Sequence, residues 1–132
     1  MKAIATAGVT SSSVAYRQDI RTGNHTLVAD EPPDHGGQDA GPAPYDLLLA
    51  ALGSCTAIML EMYAAKKGWR LGQLRVDLTF FKNREGESRI ERVLHVTEPL
   101  DEEQWARLID VAGKTPVTKT LLSGTPITTT AG

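Results

Sequence analysis

Hydrophobic and polar positions alternate in short runs over the first part of the chain: AIATAGV, SVAYRQDI and HTLVAD, the last two joined by Arg21, Thr22, Gly23 and Asn24. A period of two with turn residues between runs predicts an edge strand followed by a hairpin. From Glu31 to Ala43 the pattern breaks into EPPDHGGQDAGPA, where proline and glycine remove helix and ladder options together. A loop of roughly 12 residues is expected there, near the length at which structureless connections become uncommon and often carry function.

At Pro44 the period changes, since proline suits a first helical turn where its missing N–H has no partner to lose. A helix is predicted from about Tyr45 to Lys67, stopped by Gly68. Leu47, Leu48, Leu49, Leu52, Ile58, Met59, Leu60 and Met62 occupy every side of it, so it needs cover all round. One antiparallel sheet covers one side, and another helix or a second subunit must supply the rest. After Trp69 the period returns to two. Leu74, Val76, Leu78 and Phe80 face one way, and across a turn near Asn83 to Glu87 the returning strand puts Ile90, Leu94 and Val96 on one face and Glu91, Val93, His95 and Thr97 on the other. Asp101 and Gln104 form a capping-box pair for a helix from about Glu102 to Ala112. Thr115 and Pro116 open a short third helix through Leu122, and Gly124 to Thr130 reads as a last strand. Strands interrupted by helices without βαβ alternation place the chain in the α+β class with an antiparallel sheet.

Composition narrows the function. The 132 residues suit a single domain, residues 1–132, and 14 basic against 16 acidic side chains give a net charge of −2 with no long basic run, which excludes nucleic acid as the expected partner. The apolar block Leu47 to Leu60 is shorter than the about 20 residues a bilayer span needs, so no membrane role is expected. A lone cysteine and an N-terminus without an apolar signal fit a reducing, cytoplasmic setting. The motifs GxGxxG, GxxxxGK[ST], HExxH, GxSxG and CxxC are all missing, and His25, His35 and His95 are scattered, so no metal site is expected.

Cys55 carries the most chemical potential. A mid-helix cysteine among Leu and Ala is ordinarily an inert core thiol, and only a nearby cation or helix N-terminus activates it. Asp46 and Tyr45 lie nine and ten positions earlier on the same helix. At 1.5 Å rise per residue Asp46 stands about 13 to 14 Å away along the axis, so its ordinary role is to complement the helix dipole, and a functional one would require a bridging arginine.

The block GPAPYDLLLAALGSCTAIMLEMYAAKKGW, Gly41 to Trp69, closely resembles the signature of the OsmC/Ohr family, the osmotically inducible and organic hydroperoxide resistance proteins. TGNHTLVADEP, RIERVLHV, LDEEQWARLIDVAGK and PVTKTL follow in family order, so the resemblance spans nearly the whole chain. It implies a two-layer α+β domain with an antiparallel sheet and a long central buried helix, paired as an intertwined homodimer with sites at the subunit interface. It further implies thiol-dependent reduction of small organic hydroperoxides, with no cofactor beyond an external thiol such as lipoamide.

By the same resemblance Cys55 matches the peroxidatic cysteine, and Arg21 in RTG matches the arginine that stabilises its thiolate, with Arg17 one pitch earlier on the strand as the other candidate. Asp46 replaces the glutamate of the pattern PYELLLAALG, and Tyr45 and Thr115 line the substrate pocket. The departure is at Lys114, Thr115, Pro116 and Val117, where the family carries a resolving cysteine before the proline; Thr118 stands where related sequences often have histidine. Without a second cysteine the expected enzyme is a one-cysteine peroxidase. The alternatives are a non-catalytic protein binding an apolar ligand in the same pocket, and a redox-sensing stress protein.

Overall fold

The structure is a computed structural model describing residues 1–132. It is a mixed α+β protein with two antiparallel sheets, and it divides into two compact units, Met1–Leu48 and Leu49–Gly132.

In the first unit, strands β1 (Gly8–Ser11), β2 (Gln18–Thr22) and β3 (His25–Ala29) form a three-stranded sheet in that order. The strands are shorter than the alternation implies; β1 and β2 begin later, β3 begins at His25 as expected, and the β2–β3 turn is reduced to Gly23 and Asn24. Gly23 supplies the positive φ of 57° that this tight turn demands. The segment after β3 differs from the structureless loop expected, because it winds around Asp30. That side chain is 2% exposed, and its carboxylate accepts from the backbone N–H groups of Glu31 at 2.8 Å, Ala40 at 3.0 Å and Gln38 at 3.2 Å. A 3₁₀ turn, Pro33–His35, lies inside the loop, and Gly37 passes so close to the Glu31 carbonyl that any Cβ would collide with it.

Helix α1 (Pro44–Lys67) begins in the first unit and runs into the second. Its C-terminus closes with Gly68 at φ 72°, Trp69 N–H donating to Ala64 O and Gly68 N–H to Ala65 O, a Schellman arrangement that satisfies the last carbonyls. Within this single chain α1 is not buried on all sides. Its buried residues are Leu52, Gly53, Thr56, Leu60 and Ala64, essentially one stripe at four-residue spacing, while Ile58 and Met62 are 50% and 61% exposed. At 24 residues the helix is also longer than its apolar block, and by length and composition alone it would suffice to cross a bilayer.

The second unit pairs β4 (Leu74–Lys82) with β5 (Ser88–Val96), Leu74 opposite Val96 and Lys82 opposite Ser88. Side chains at even positions from Leu74 to Phe80 and from Ile90 to Val96 are half-buried and those between them exposed, as the alternation predicts. Helix α2 (Glu102–Ala112) carries the expected capping box, Asp101 accepting from Gln104 N–H and Gln104 accepting from Asp101 N–H. Leu60, Ala64, Leu71, Leu108 and Ala112 form the buried cluster, flanked by Tyr63, Trp69, Leu74, Leu94, Val96, Leu100 and Val111. Helix α3 (Pro116–Ser123) follows. The last strand expected at Gly124 to Thr130 does not form: the segment is exposed throughout and pairs with no strand. Its β-branched residues satisfy propensity, but a strand exists only through the ladder it joins.

Candidate functional site

Cys55 is half-buried in the middle of α1 and is the chain's one thiol. The next residue, Thr56, is fully buried, and its hydroxyl donates to Leu52 O at 2.7 Å, leaving the oxygen's lone pairs for another donor. That donor is Arg92. It sits on the inward face of β5 between Ile90 and Leu94, opposite Leu78 on β4. Gly53 on α1 makes the close packing possible, because a Cβ there would stand 2.8 Å from Leu78 Cδ1.

The Arg92 guanidinium is held from three helices. Nη1 donates to Thr56 Oγ1 and to Thr118 Oγ1, each at 2.9 Å, and Nη2 donates to Ala112 O at 2.9 Å. Thr118 Oγ1 also donates to the Ala112 carbonyl at 3.2 Å and lies 2.6 Å from Thr115 Oγ1. Since the single Thr118 proton goes to Ala112, Thr115 is the donor between the two hydroxyls. Burial pulls the Arg92 pKa below its ordinary value, and the charge of Cys55 pushes it back up. No carboxylate forms an ion pair with Arg92, although four arginine– or lysine–carboxylate pairs form elsewhere.

Thr115, 1% exposed, occupies the N-cap position of α3 with an extended backbone, but its side chain caps no helical N–H. Its hydroxyl is taken by Thr118, which corrects the capping role the sequence assigned to it. The remaining expected residues belong to the first unit. Arg21 is exposed on β2, opposite Gly8 and Thr26, and Arg17 lies 3.6 Å from Asp19. Tyr45 and Asp46 are in the first turn of α1, where Asp46 Oδ2 accepts from Ala43 N–H at 3.0 Å and so satisfies an otherwise orphaned donor of the helix start. Arg92 was missed by the sequence reading. The signal was present: the alternation that places Ile90, Leu94 and Val96 inward also places Arg92 inward, and a cation on an apolar face requires a partner.

The fold and site together define an α+β protein with one helix-borne thiol and a half-buried arginine bonded to the residue that follows it. The OsmC-like protein family model matches residues 36–130, so the chain belongs to the OsmC-like family. An OsmC-like protein from Mycoplasma pneumoniae is similar in structure, at 19% identity, 92% of this chain and 89% of that one covered, and a TM-score of 0.79. An organic hydroperoxide resistance protein OsmC from Legionella pneumophila is 18% identical over 91% of each chain, with a TM-score of 0.65. The organic hydroperoxide resistance protein OhrB of Bacillus subtilis is 21% identical over 88% of each chain, with a TM-score of 0.60. No curated protein matches the sequence.

Proposed function

We propose that the protein is a one-cysteine peroxidase that reduces organic hydroperoxides at Cys55. The observation that carries this reading is the lone half-buried thiol on the long helix α1 of an OsmC-like protein, next in sequence to Thr56, whose hydroxyl accepts from the Arg92 guanidinium. In the reaction the Cys55 thiolate attacks the hydroperoxide's distal oxygen, an S–O bond forms and the O–O bond breaks. The alkoxide leaves and takes a proton to become the alcohol, while sulfur is oxidised to the sulfenic acid. Thr115 offers no second sulfur, so a small external thiol condenses with the sulfenic acid, releasing water and forming a mixed disulfide. A second thiol group, supplied by the same molecule if it is a dithiol such as lipoamide, displaces Cys55 as thiolate and carries away the disulfide. Arg21, Asp46 and Tyr45 are the further family-matched positions, and a homodimer is the proposed assembly.

Exposure of the reduced protein to cumene hydroperoxide, with a sulfenic-acid trap and mass detection, tests the reading. Rapid modification of Cys55, slower modification by hydrogen peroxide, and complete loss of turnover in Cys55→Ser are the expected results. An inert Cys55 would overturn it and leave a protein that uses the same fold to bind an apolar ligand.

A further inference from the structure

A guanidinium carries five N–H donors, and the fold uses three of those on Arg92. Which three is fixed by the acceptors. Thr118 Oγ1 and Ala112 O stand 3.2 Å apart, joined by the threonine's own proton, so they meet the guanidinium side by side and take one N–H each from Nη1 and Nη2. The other Nη1 proton goes to Thr56 Oγ1. What remains is the Nε–H and the second Nη2–H, a parallel pair along one edge of the plane, and no acceptor of this chain meets either. Every buried side-chain nitrogen and oxygen has a partner, so the unbonded Nε is open to solvent.

The surrounding threonines hold that edge still. The Thr56 and Thr118 protons are committed to Leu52 O and Ala112 O, so toward Arg92 both hydroxyls can only accept, and Thr115 braces Thr118 at 2.6 Å. All three acceptors are neutral, which leaves a half-buried cation without a counter-charge, a costly state that an anion relieves. Ile90 and Leu94 flank Arg92 on the same half-buried face of β5, and Leu78 stands opposite on β4. We propose that the free Nε–Nη2 edge of Arg92 is a binding site for one carboxylate, carried by a ligand whose short apolar chain lies along these three side chains. A carboxylate sets one oxygen against each of the two parallel N–H groups and balances the single charge. A phosphate dianion would bring a second charge onto an apolar face. The inference goes beyond the peroxidase reading and does not rest on it.

The test titrates the protein with sodium hexanoate and follows the Arg92 Nε–H in proton–nitrogen correlation spectra, assigned by its loss in Arg92→Lys. A saturable shift of this resonance and of the Thr56 amide is expected. The side chains of Arg75 and Arg89, already paired with Asp77 and Glu91, stay unmoved. Hexanol, which has the chain without the charge, and sodium chloride at equal ionic strength leave the Nε–H in place. Arg92→Lys keeps the charge but loses the paired donors, and its hexanoate affinity, read at the Thr56 amide, falls about tenfold or more. Arg75→Ala binds as the wild type does. A wild-type Nε–H that does not respond to hexanoate would overturn the proposal, as would a shift that chloride reproduces or that Arg75 and Arg89 share, or an unchanged affinity in folded Arg92→Lys. An Nε–H that responds only to dilution of the protein would overturn it too, by showing that a carboxylate of a second copy fills the edge. None of these readouts involves Cys55, so the peroxidase reading stands or falls separately, on its response to cumene hydroperoxide.

Discussion

Asp30 shows how much one side chain organises. Three backbone N–H groups converge on its carboxylate, those of Ala40, Glu31 and Gln38, and together with the more distant charge of Arg17 they hold its pKa below the ordinary carboxylate value of 3.8 against the opposing effect of burial. A lowered folded-state pKa means that the ionised form favours the folded chain. The contribution is therefore complete above the unfolded value near 3.8 and is lost as pH falls below it through the folded value. Asp30→Asn is expected to loosen the loop from Glu31 to Ala43 at neutral pH, and hydrogen exchange at the Gln38 and Ala40 amides measures it; unchanged protection would count against the clamp. At Thr115 the expectation concerns chemistry. Thr115→Cys should give an internal disulfide with Cys55 after peroxide treatment, seen as a loss of two hydrogens in the intact mass. Its absence would mean that the two positions lie outside the roughly 4.4 to 6.8 Å Cα window that a disulfide needs.

Among the elements, α2 is the one most firmly written in the sequence, with its capping box at Asp101 and Gln104 and its buried Leu108 and Ala112. Leu108 is fully buried at the centre of the second unit's cluster, so Leu108→Ala is expected to cost about 2 to 5 kcal/mol, read as a lower urea midpoint. The β4–β5 hairpin was equally legible, because a half-buried sheet face repeats every second residue and its turn is marked by Asn83 and Gly86. Other parts were not. The segment from Gly124 to Thr130 has strand composition, yet ladder partners are a property of the fold and not of the segment. The Asp30 loop hides its order because three unrelated backbone donors must meet before the carboxylate means anything. Cys55 was legible and the Arg92 cluster was not: Arg92 reaches Thr56, Ala112 and Thr118 across 36, 20 and 26 residues of sequence, distances at which local pattern is silent.

For the molecule as a whole, the exposed apolar side of α1 is the feature that bears on assembly. Ile58 and Met62 lie half or more exposed on a helix whose opposite stripe is packed, and contiguous apolar surface of this kind marks association. Sedimentation is expected to give twice the chain mass of 14.2 kDa, and Ile58→Lys with Met62→Lys to shift the protein toward monomer; a stable wild-type monomer would remove the dimer. The guanidinium of Arg92 has a mechanical meaning as well. It fastens β5 to α1, to the end of α2 and to α3 at once, so none of these can fray alone without surrendering a charge-assisted bond. The second unit should then open as one cooperative piece, and the backbone amides of Thr56 and Arg92 should exchange with global unfolding rather than ahead of it.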